Sequence, residues 1–412
     1  MLKREMISPL GIFSLLWMIV IFLYELHLYG IFDVSFNTTF ALFLGVIGYI
    51  VGYAFFKIFP LRMKNNKRRI FHYNRVSIVA ALAFISSFAF YIPNILYVIN
   101  GNAIEVLKTR LVLGDIDAGG ALMQYFVRPV SYIVLAITAY FVITNRKKNL
   151  LIILGILFAI FDFAGTASKT GISLLLLFVI VSYFLYADYV SFIKRNKRIL
   201  ILAVVGLVCF VGFLLGFQGI YFYICGCVPM LDKIVNEGFY MSSGHSYGFL
   251  SFNSVIRFFI KILDVFGIKI DSKMFDLAND YFQRFEYTTS VSNNGNFNAF
   301  HTMFGDFYVD FGLFGVFVLS LLFGILSCWA YKIVKKEKSL WGHVLFCTII
   351  FYTVFGIVRF QMSNTYFGLM LIYTLLFLKP IMHGKIGVKL SRRKLSLSNI
   401  RTDGIKKGEF KD

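Results

Sequence analysis

GLFGVFVLSLLFGILSCWAYK, residues 312–332, contains a single charged residue, at its last position, and is long enough to cross a lipid bilayer as a helix. Backbone groups in lipid must pair within the segment itself, and no alternating-strand pattern suggests a barrel. Since a span needs about 20 mostly apolar residues, the sequence predicts an all-α polytopic membrane protein with about ten transmembrane helices. The predicted spans are 9–29, 36–56, 77–98, 122–144, 149–165, 170–187, 199–221, 312–332, 341–358 and 363–379.

The composition of the whole chain supports the same class. Of its 412 residues, 58% are hydrophobic and 15% are charged, whereas soluble domains carry about 25% charged residues. Three of the five cysteines lie inside apolar stretches and are expected to pack as small hydrophobic side chains. Cys225 and Cys227 are too close for an easy disulfide, and no pattern of metal ligands accompanies them. We predict neither a metal site nor a cofactor.

The basic residues are distributed unevenly along the chain. The net charge is +20, and 30 of the 41 Lys and Arg residues fall in alternate loops and the two termini, which contain only 6 of the 21 Asp and Glu residues. Because basic loops face the cytoplasm in membrane proteins, the sequence predicts that both termini are cytoplasmic. Topology and attraction to anionic lipids then explain the excess charge, and no nucleic-acid partner is predicted.

One long connection divides the predicted spans. Residues 1–221 contain the first seven helices, 222–311 form the long loop, 312–380 contain the last three helices, and 381–412 form a basic tail. By the same charge count the long loop is extracytoplasmic, whereas the cytoplasmic loops are short and lack a phosphate-binding motif. We therefore expect the functional residues on the extracytoplasmic side, because unusually long loops in compact domains commonly have a function.

The long loop contains two predicted helices that form a lid-like subdomain. YGFLSFNSVIRFFIKILDVFG, residues 247–267, places Arg257 and Lys261 on one face, so we expect it to lie along the membrane interface with this face toward the headgroups. SKMFDLANDYFQRF, residues 272–285, has apolar residues at helical spacing. SVSNNGN, residues 290–296, is a turn-rich break before the chain returns to the membrane.

NAFHTMFGDFYVDFG, residues 298–312, leads from the loop into the eighth span. Its phenylalanines recur at alternating steps of three and four residues, which predicts a helix. This helix either runs unbroken into the span, with its first turns at the outer surface, or is interrupted at Gly312. His301, Asp306 and Asp310 are its candidate catalytic residues. The alternative is that the phenylalanines only pack and the acidic residues face water.

Isolated cations occur in or near the extracytoplasmic segments. Charged side chains at membrane depth cost about 2.5–3.5 kcal/mol each, and they usually face a cavity and a partner. Several of them together suggest a bound anion, because Arg grips phosphate with two parallel hydrogen bonds and Lys acts as a point charge. The alternative is pairing with nearby acids such as Asp162, Glu105 and Asp115. The candidate anion-binding residues are Lys169, Arg128, Arg359, Arg110 and Arg284.

Two short motifs carry a resemblance to a known family. SKTG at 168–171 and FYVDFGLFG at 307–315, together with the span count and the late external loop, resemble the O-antigen and capsular oligosaccharide repeat-unit polymerases of the Wzy type. The resemblance covers most of the chain, and it implies a fold similar to the GT-C-like lipid-linked glycosyltransferases of the bacterial cytoplasmic membrane. Family members often have arginine where this chain has Lys169.

The resemblance implies a metal-independent transfer reaction. Such a polymerase moves a growing glycan from its polyprenyl diphosphate to the next lipid-linked repeat unit, so its partners are that substrate, membrane lipids, a flippase and a chain-length regulator. Cations neutralise the leaving diphosphate, and an acid–base group assists the acceptor hydroxyl. By this resemblance we expect the diphosphate to be bound by Lys169, Arg284 and Arg359, with support from Arg128 and Arg110. The acceptor role falls to His301 or Asp306, and Asp310 is the third catalytic candidate.

Two other functions remain open from the sequence. An O-antigen ligase shares the donor and the general layout but transfers the glycan to a terminal acceptor. A lipid-linked oligosaccharide transporter, or flippase, would have two related halves with interrupted helices and a binding site at the bilayer midplane. Here the two parts of the chain differ in length, which favours the enzyme.

Overall fold

The computed structural model describes residues 8–60, 73–100, 120–144, 149–186, 217–236, 244–270, 273–284, 289–293, 295–297, 301–337 and 339–378, which are mostly helical. The elements are α1 (Pro9–Glu25), α2 (Phe36–Ile58), α3 (Tyr73–Ile99), α4 (Gly120–Ile143), α5 (Asn149–Thr166), α6 (Thr170–Tyr186), α7 (Cys227–Asn236), α8 (Asn253–Val265), α9 (Lys273–Arg284), β1 (Thr289–Ser292), β2 (Gly295–Phe297), α10 (Thr302–Glu337), α11 (Leu340–Val354) and α12 (Thr365–Tyr373).

Six of these helices, α2, α3, α4, α5, α10 and α11 with its 3₁₀ extension, are long and apolar enough to cross a membrane. Three further apolar helices, α1, α6 and α12, are shorter. The protein is therefore a multi-pass membrane protein built from helices. Most of the predicted seventh span and the basic tail lie outside the described residues.

Helices α2 and α10 run side by side in close contact, and glycines make this contact possible. A Cβ atom added at Gly52 would lie 2.0 Å from the carbonyl oxygen of Leu321, and one added at Gly324 would lie 2.2 Å from the carbonyl oxygen of Tyr49. Small residues of this kind let membrane helices approach until their backbones touch. At the far end of the pair, Nζ of Lys332 donates to the carbonyl of Phe56 at 2.6 Å.

Helix α10 is interrupted at Phe311 and Gly312. Phe311 has φ −147° and ψ 18°, and Gly312 has φ 64° and ψ −153°, a left-handed φ that glycine adopts without steric cost. Of the two alternatives from the sequence, the interruption at Gly312 is confirmed. It separates a short segment, 302–310, from the membrane-length remainder of α10.

The short segment of α10 packs inside the protein. The Phe304 ring lies 4.7 Å from that of Trp17, between ring centroids, and it fills the space beside Gly45. Trp17 and Gly45 belong to the middle turns of α1 and α2. The alternative that Asp306 and Asp310 face water is wrong, since they are 1% and 0% exposed.

The segment that connects α6 to α10 packs on the loop between α1 and α2. Asp232 of α7 accepts hydrogen bonds from the Ser35 backbone N–H at 2.9 Å and from the Thr38 hydroxyl at 2.7 Å, which caps the first turn of α2. The turn-rich stretch 290–296 is part of a small antiparallel hairpin of β1 and β2, an exception to the predicted all-α fold. The backbone N–H of Phe32 donates to the carbonyl of Val291 at 3.0 Å.

The two helices predicted for the long loop are present as α8 and α9. Helix α8 packs on α12, and its Ser254 hydroxyl donates to the carbonyl of Met362 at 2.7 Å. Its basic residues have partners within the same region, because Arg257 lies over the Phe275 ring and Lys261 lies 3.4 Å from Asp264. The predicted contact of this helix with lipid headgroups stays a prediction.

Candidate functional site

The candidate site lies around residues 355–366, which comprise the connection 355–364 between α11 and α12 and the first two residues of α12. The connection contains two short 3₁₀ turns, Phe355–Ile357 and Gln361–Ser363, and the backbone is extended at Phe360 just before the second turn. An interrupted helix leaves backbone N–H and C=O groups available for other partners. One part of the segment contacts His301 and Asp306, and another part contacts Arg128, so it links two groups of charged residues.

His301 and Asp306 form a buried pair. The pair and Arg359 are here called the histidine cluster. Nε2 of His301 lies 2.6 Å from Oδ1 of Asp306, and the two side chains are 2% and 1% exposed. The other carboxylate oxygen, Oδ2, accepts the backbone N–H of Phe360 at 2.7 Å. The backbone N–H of His301 donates to the carbonyl of Val358 at 3.1 Å. The structure therefore joins two residues that the sequence offered as alternatives.

Arg359 belongs to the same cluster. It is 9% exposed, and its two neighbours in the chain, Val358 and Phe360, bond to His301 and Asp306 through their backbones. The charge of Arg359 also acts on the imidazole of His301. A buried guanidinium is costly unless other groups compensate it. No local sequence pattern indicated that Asp306 would contact this part of the chain, since 54 residues separate it from Phe360.

Arg128 lies in a second group, here called the arginine cluster, with Tyr91, Asp162 and Tyr366. Nε of Arg128 donates to the Tyr91 hydroxyl at 3.5 Å, and this hydroxyl donates to Oδ1 of Asp162 at 3.0 Å. The guanidinium carbon of Arg128 lies 5.4 Å from the centre of the Tyr366 ring, a distance at which cation and ring attract. The pairing of Arg128 with Asp162, an alternative from the sequence, is thus made through a tyrosine.

The arginine cluster borders a small cavity of about 10 Å³. Oδ2 of Asp162 is buried and accepts no hydrogen bond of good geometry from the described residues, although the backbone N–H of Gly171 and the Tyr132 hydroxyl lie near this carboxylate. Gly171, the glycine of the SKTG motif, packs on this oxygen, because an added Cβ would lie 2.9 Å from it. The cavity is lined by Tyr91, Arg128, Ser131, Tyr132, Leu135, Phe158, Asp162 and Gly171.

Lys169 lies in the SKTG hairpin and is exposed. The hydroxyl oxygen of the preceding Ser168 accepts the backbone N–H of Thr170, the first residue of α6, at 3.3 Å. Lys169 is thus held at the entrance to α6, two residues from the glycine that touches Asp162. Its charge faces the surroundings of the protein, whereas Arg128 and Arg359 are enclosed.

Asp310 belongs to neither cluster. Its carboxylate accepts the backbone N–H groups of Gly248 at 2.9 Å, Leu250 at 3.2 Å and Ser251 at 2.9 Å, and it also accepts the Ser246 hydroxyl. These donors form the turn that leads into α8. Asp310 therefore holds this turn, and its catalytic role stays a prediction.

Two predicted anion-binding residues cannot be placed in either cluster. Arg110 lies outside the described residues, as do the possible partners Glu105 and Asp115. Arg284 ends α9, and its side chain lies outside the described part of the chain. The same helix contributes Tyr281, whose ring stands edge-on to His301 at 5.8 Å between centroids.

Asp162 is the site residue whose importance the sequence analysis missed, because it was considered only as a partner of Arg128. It is the single charged residue in NLLIILGILFAIFDFAGT, residues 149–166, and an acid inside an apolar span indicates a functional group. Tyr91 had no comparable signal among 24 tyrosines.

Comparisons with known proteins give no further assignment: no family model matches the chain, and no curated protein or solved structure matches it. Among the described residues no group of three or more His, Cys, Asp or Glu side chains is arranged to hold a metal ion.

Proposed function

We propose that this protein is a glycosyltransferase that polymerises polyprenyl-diphosphate-linked oligosaccharide repeat units. The reaction would take place at the outer leaflet of the bacterial cytoplasmic membrane, in the synthesis of O-antigen, capsule or exopolysaccharide. The observation that carries the proposal is the convergence of His301 and Asp306, at the start of α10, with the connection that contains Arg359. This transfer needs a cation that stabilises the anionic leaving group and an acid–base pair that assists the acceptor hydroxyl.

In the proposed reaction Arg359 neutralises the charge that develops on the leaving diphosphate. Lys169, at the exposed end of the SKTG hairpin, first attracts the diphosphate headgroup. Asp306 orients the imidazole of His301, and with the proton on Nε2, Nδ1 is the basic nitrogen that can assist the acceptor hydroxyl. Because the donor is already activated as a diphosphate, most of the catalysis is positioning and charge neutralisation.

A second candidate function is transport of a lipid-linked oligosaccharide. The interruption of α10 at Gly312 and the broken segment 355–364 favour it, because transporters build their binding sites from interrupted helices. The ligase remains the closest enzymatic alternative, since it would use the same donor site.

The glycan ladder of a deletion strain separates the three functions. Loss of a polymerase leaves single-repeat lipid-linked material, and loss of a ligase leaves polymerised but unattached chains. A transporter would flip lipid-linked oligosaccharide in reconstituted vesicles without elongating it. We expect single-repeat material, and either of the other two results would overturn the proposal.

Single substitutions then test the residues. We expect Arg359→Ala and His301→Ala to lower polymer yield at least tenfold at equal protein level, and Lys169→Ala to lower it less. His27→Ala is a matched control, because His27 lies 2.7 Å from Asp33 in a similar pair that is exposed. Wild-type ladders from both Arg359→Ala and Lys169→Ala would remove these residues from the site.

The proposed orientation has its own test. Lys169→Cys in a cysteine-free background should react with a membrane-impermeant maleimide added to intact cells, whereas Lys336→Cys should react only after permeabilisation. The reverse pattern would place the clusters on the cytoplasmic side and contradict the proposal.

A further inference from the structure

The cavity of the arginine cluster has a chemical character different from that of an anion site. Arg128 and Asp162 both border it, and their charges interact. An anion placed there would meet the Asp162 carboxylate, and a cation would meet the Arg128 guanidinium. A neutral polar group is favoured, because it is attracted by both charges without being repelled by either.

The hydrogen-bonding capacity of Asp162 specifies this group further. Oδ1 accepts the Tyr91 hydroxyl at 3.0 Å, whereas buried Oδ2 accepts no hydrogen bond of good geometry from the described residues. The Gly171 backbone N–H and the Tyr132 hydroxyl lie near the carboxylate, but an ionised carboxylate has about four acceptor positions, so capacity is left. A carboxylate oxygen can only accept, so a ligand at Oδ2 must bring a hydrogen-bond donor, and a well-aligned donor there is favoured.

The size of the cavity limits the ligand to one polar heavy atom. Its volume is about 10 Å³, close to the room that one water molecule requires. A hydroxyl group has this size, donates one hydrogen bond and accepts others. Arg128 lines the same cavity, and its guanidinium N–H groups can donate to the oxygen of the ligand. The Ser131 hydroxyl already donates to the carbonyl of Val127 at 2.8 Å.

We propose that this cavity is a recognition site for a sugar hydroxyl of the glycan substrate, with Asp162 as the acceptor of its hydrogen bond. The inference rests on the proposed function, and it assigns Arg128 to the sugar instead of the diphosphate. Tyr91 is the positioning residue that fixes Asp162. Gly171 has no side chain and so leaves space for the sugar hydroxyl beside Oδ2. The SKTG motif would then contribute to sugar recognition as well as positioning Lys169.

Such a site would determine substrate specificity. Sites built to hydrogen-bond a substrate hydroxyl reject the analogue that lacks it by about 10⁴–10⁵-fold, because the buried acceptor is then left unpaired. A sugar that lacks the recognised hydroxyl would be a poor substrate even though its diphosphate is unchanged.

The test compares glycan elongation with pyrophosphate binding in the full-length protein. In cells we expect Asp162→Asn to lower polymer yield at least tenfold. In nanodiscs the affinity of the purified variant for inorganic pyrophosphate should stay within twofold of wild type. Arg359→Gln should lower both quantities. Thermal unfolding of each variant reports whether it is folded.

Two results would overturn the inference. One is a wild-type ladder from Asp162→Asn, and the other is a loss of pyrophosphate affinity in Asp162→Asn or Arg128→Gln comparable to that in Arg359→Gln. If Asp162→Asn does not fold, Gly171→Ala decides, because its methyl group narrows the cavity. The added Cβ would lie 2.9 Å from Oδ2, so the carboxylate must shift although no charged group is removed. This variant should lose elongation and keep pyrophosphate binding. A deletion strain with an unaltered ladder would instead refute the proposed function itself.

Discussion

Two buried carboxylates, Asp310 and Asp162, differ in how completely their oxygens are used. Asp310 is 0% exposed and accepts four hydrogen bonds, three of them from backbone N–H groups of one turn. Asp162 is 7% exposed, and only its Oδ1 accepts a hydrogen bond of good geometry from the described residues. A saturated carboxylate holds the fold, whereas one with spare capacity can bind a ligand. Burial alone does not distinguish the two.

The largest effect on stability is expected at the saturated carboxylate. Asp310→Ala leaves four donors without their acceptor, and at about 1–3 kcal/mol for each unsatisfied buried group the loss should exceed about 4 kcal/mol. Thermal unfolding of the purified protein in detergent measures it. A melting temperature equal to that of the wild type would show that the turn before α8 does not depend on Asp310.

The next largest loss of stability is expected at Asp306, because its carboxylate has two hydrogen-bond partners. Asp306→Ala removes the acceptor of Phe360 and the partner of His301, and breaking a buried pair costs about 3–5 kcal/mol. Asp306→Asn keeps the shape and should cost less, while still lowering polymer yield by disturbing His301. The two variants are compared by unfolding and by the glycan ladder. Equal stability of both variants and the wild type would contradict the pairing.

A matched pair of hydroxyl deletions sharpens the comparison. Ser246→Ala removes one of four donors to Asp310, and the loss should be about 1 kcal/mol. Tyr91→Phe removes the donor to Oδ1 of Asp162 and the acceptor of Arg128 Nε, so two buried groups lose a partner and the loss should be about 2 kcal/mol. Urea unfolding of the two variants decides the order. A larger loss from Ser246→Ala would mean that Gly171 and Tyr132 hold Asp162 without Tyr91.

Among the carboxylate variants the smallest effect on stability is expected from Asp162→Asn. The amide oxygen still accepts from Tyr91 and the shape is kept, so the loss comes mainly from the missing charge beside Arg128 and should stay below that of Asp310→Ala. Unfolding followed by tryptophan fluorescence measures this change. A loss as large as that of Asp310→Ala would remove the distinction between the two carboxylates.

The sequence was sufficient for the features that depend on local pattern. Apolar length predicted the membrane helices, and α8 and α9 followed from helical spacing. Gly312 was identified as a possible break because glycine tolerates a left-handed φ. Whether α10 is interrupted or continuous became clear only from the structure, because the short segment of α10 is placed by the packing of Phe304 against Trp17 and Gly45.

The site depended on contacts that no local pattern contains. His301 and Asp306 are five residues apart, a spacing at which residues of a regular helix do not face each other. They meet because His301 precedes the helix, where its backbone is held by Val358. The donors to Asp310 lie about 60 residues earlier in the chain. The strands β1 and β2 were missed because the Asn- and Gly-rich stretch was interpreted only as a turn.

The contrast between the two carboxylates is tested most directly by polymer yield per folded molecule in Asp162→Asn and Asp310→Asn. Folded protein in the membrane is measured by monodisperse elution in detergent, and polymer by the glycan ladder of the same cells. We predict that Asp162→Asn accumulates at the wild-type level and loses elongation, whereas Asp310→Asn loses folded protein in proportion to its polymer. Full elongation by Asp162→Asn, together with an inactive but normally folded Asp310→Asn, would contradict the account.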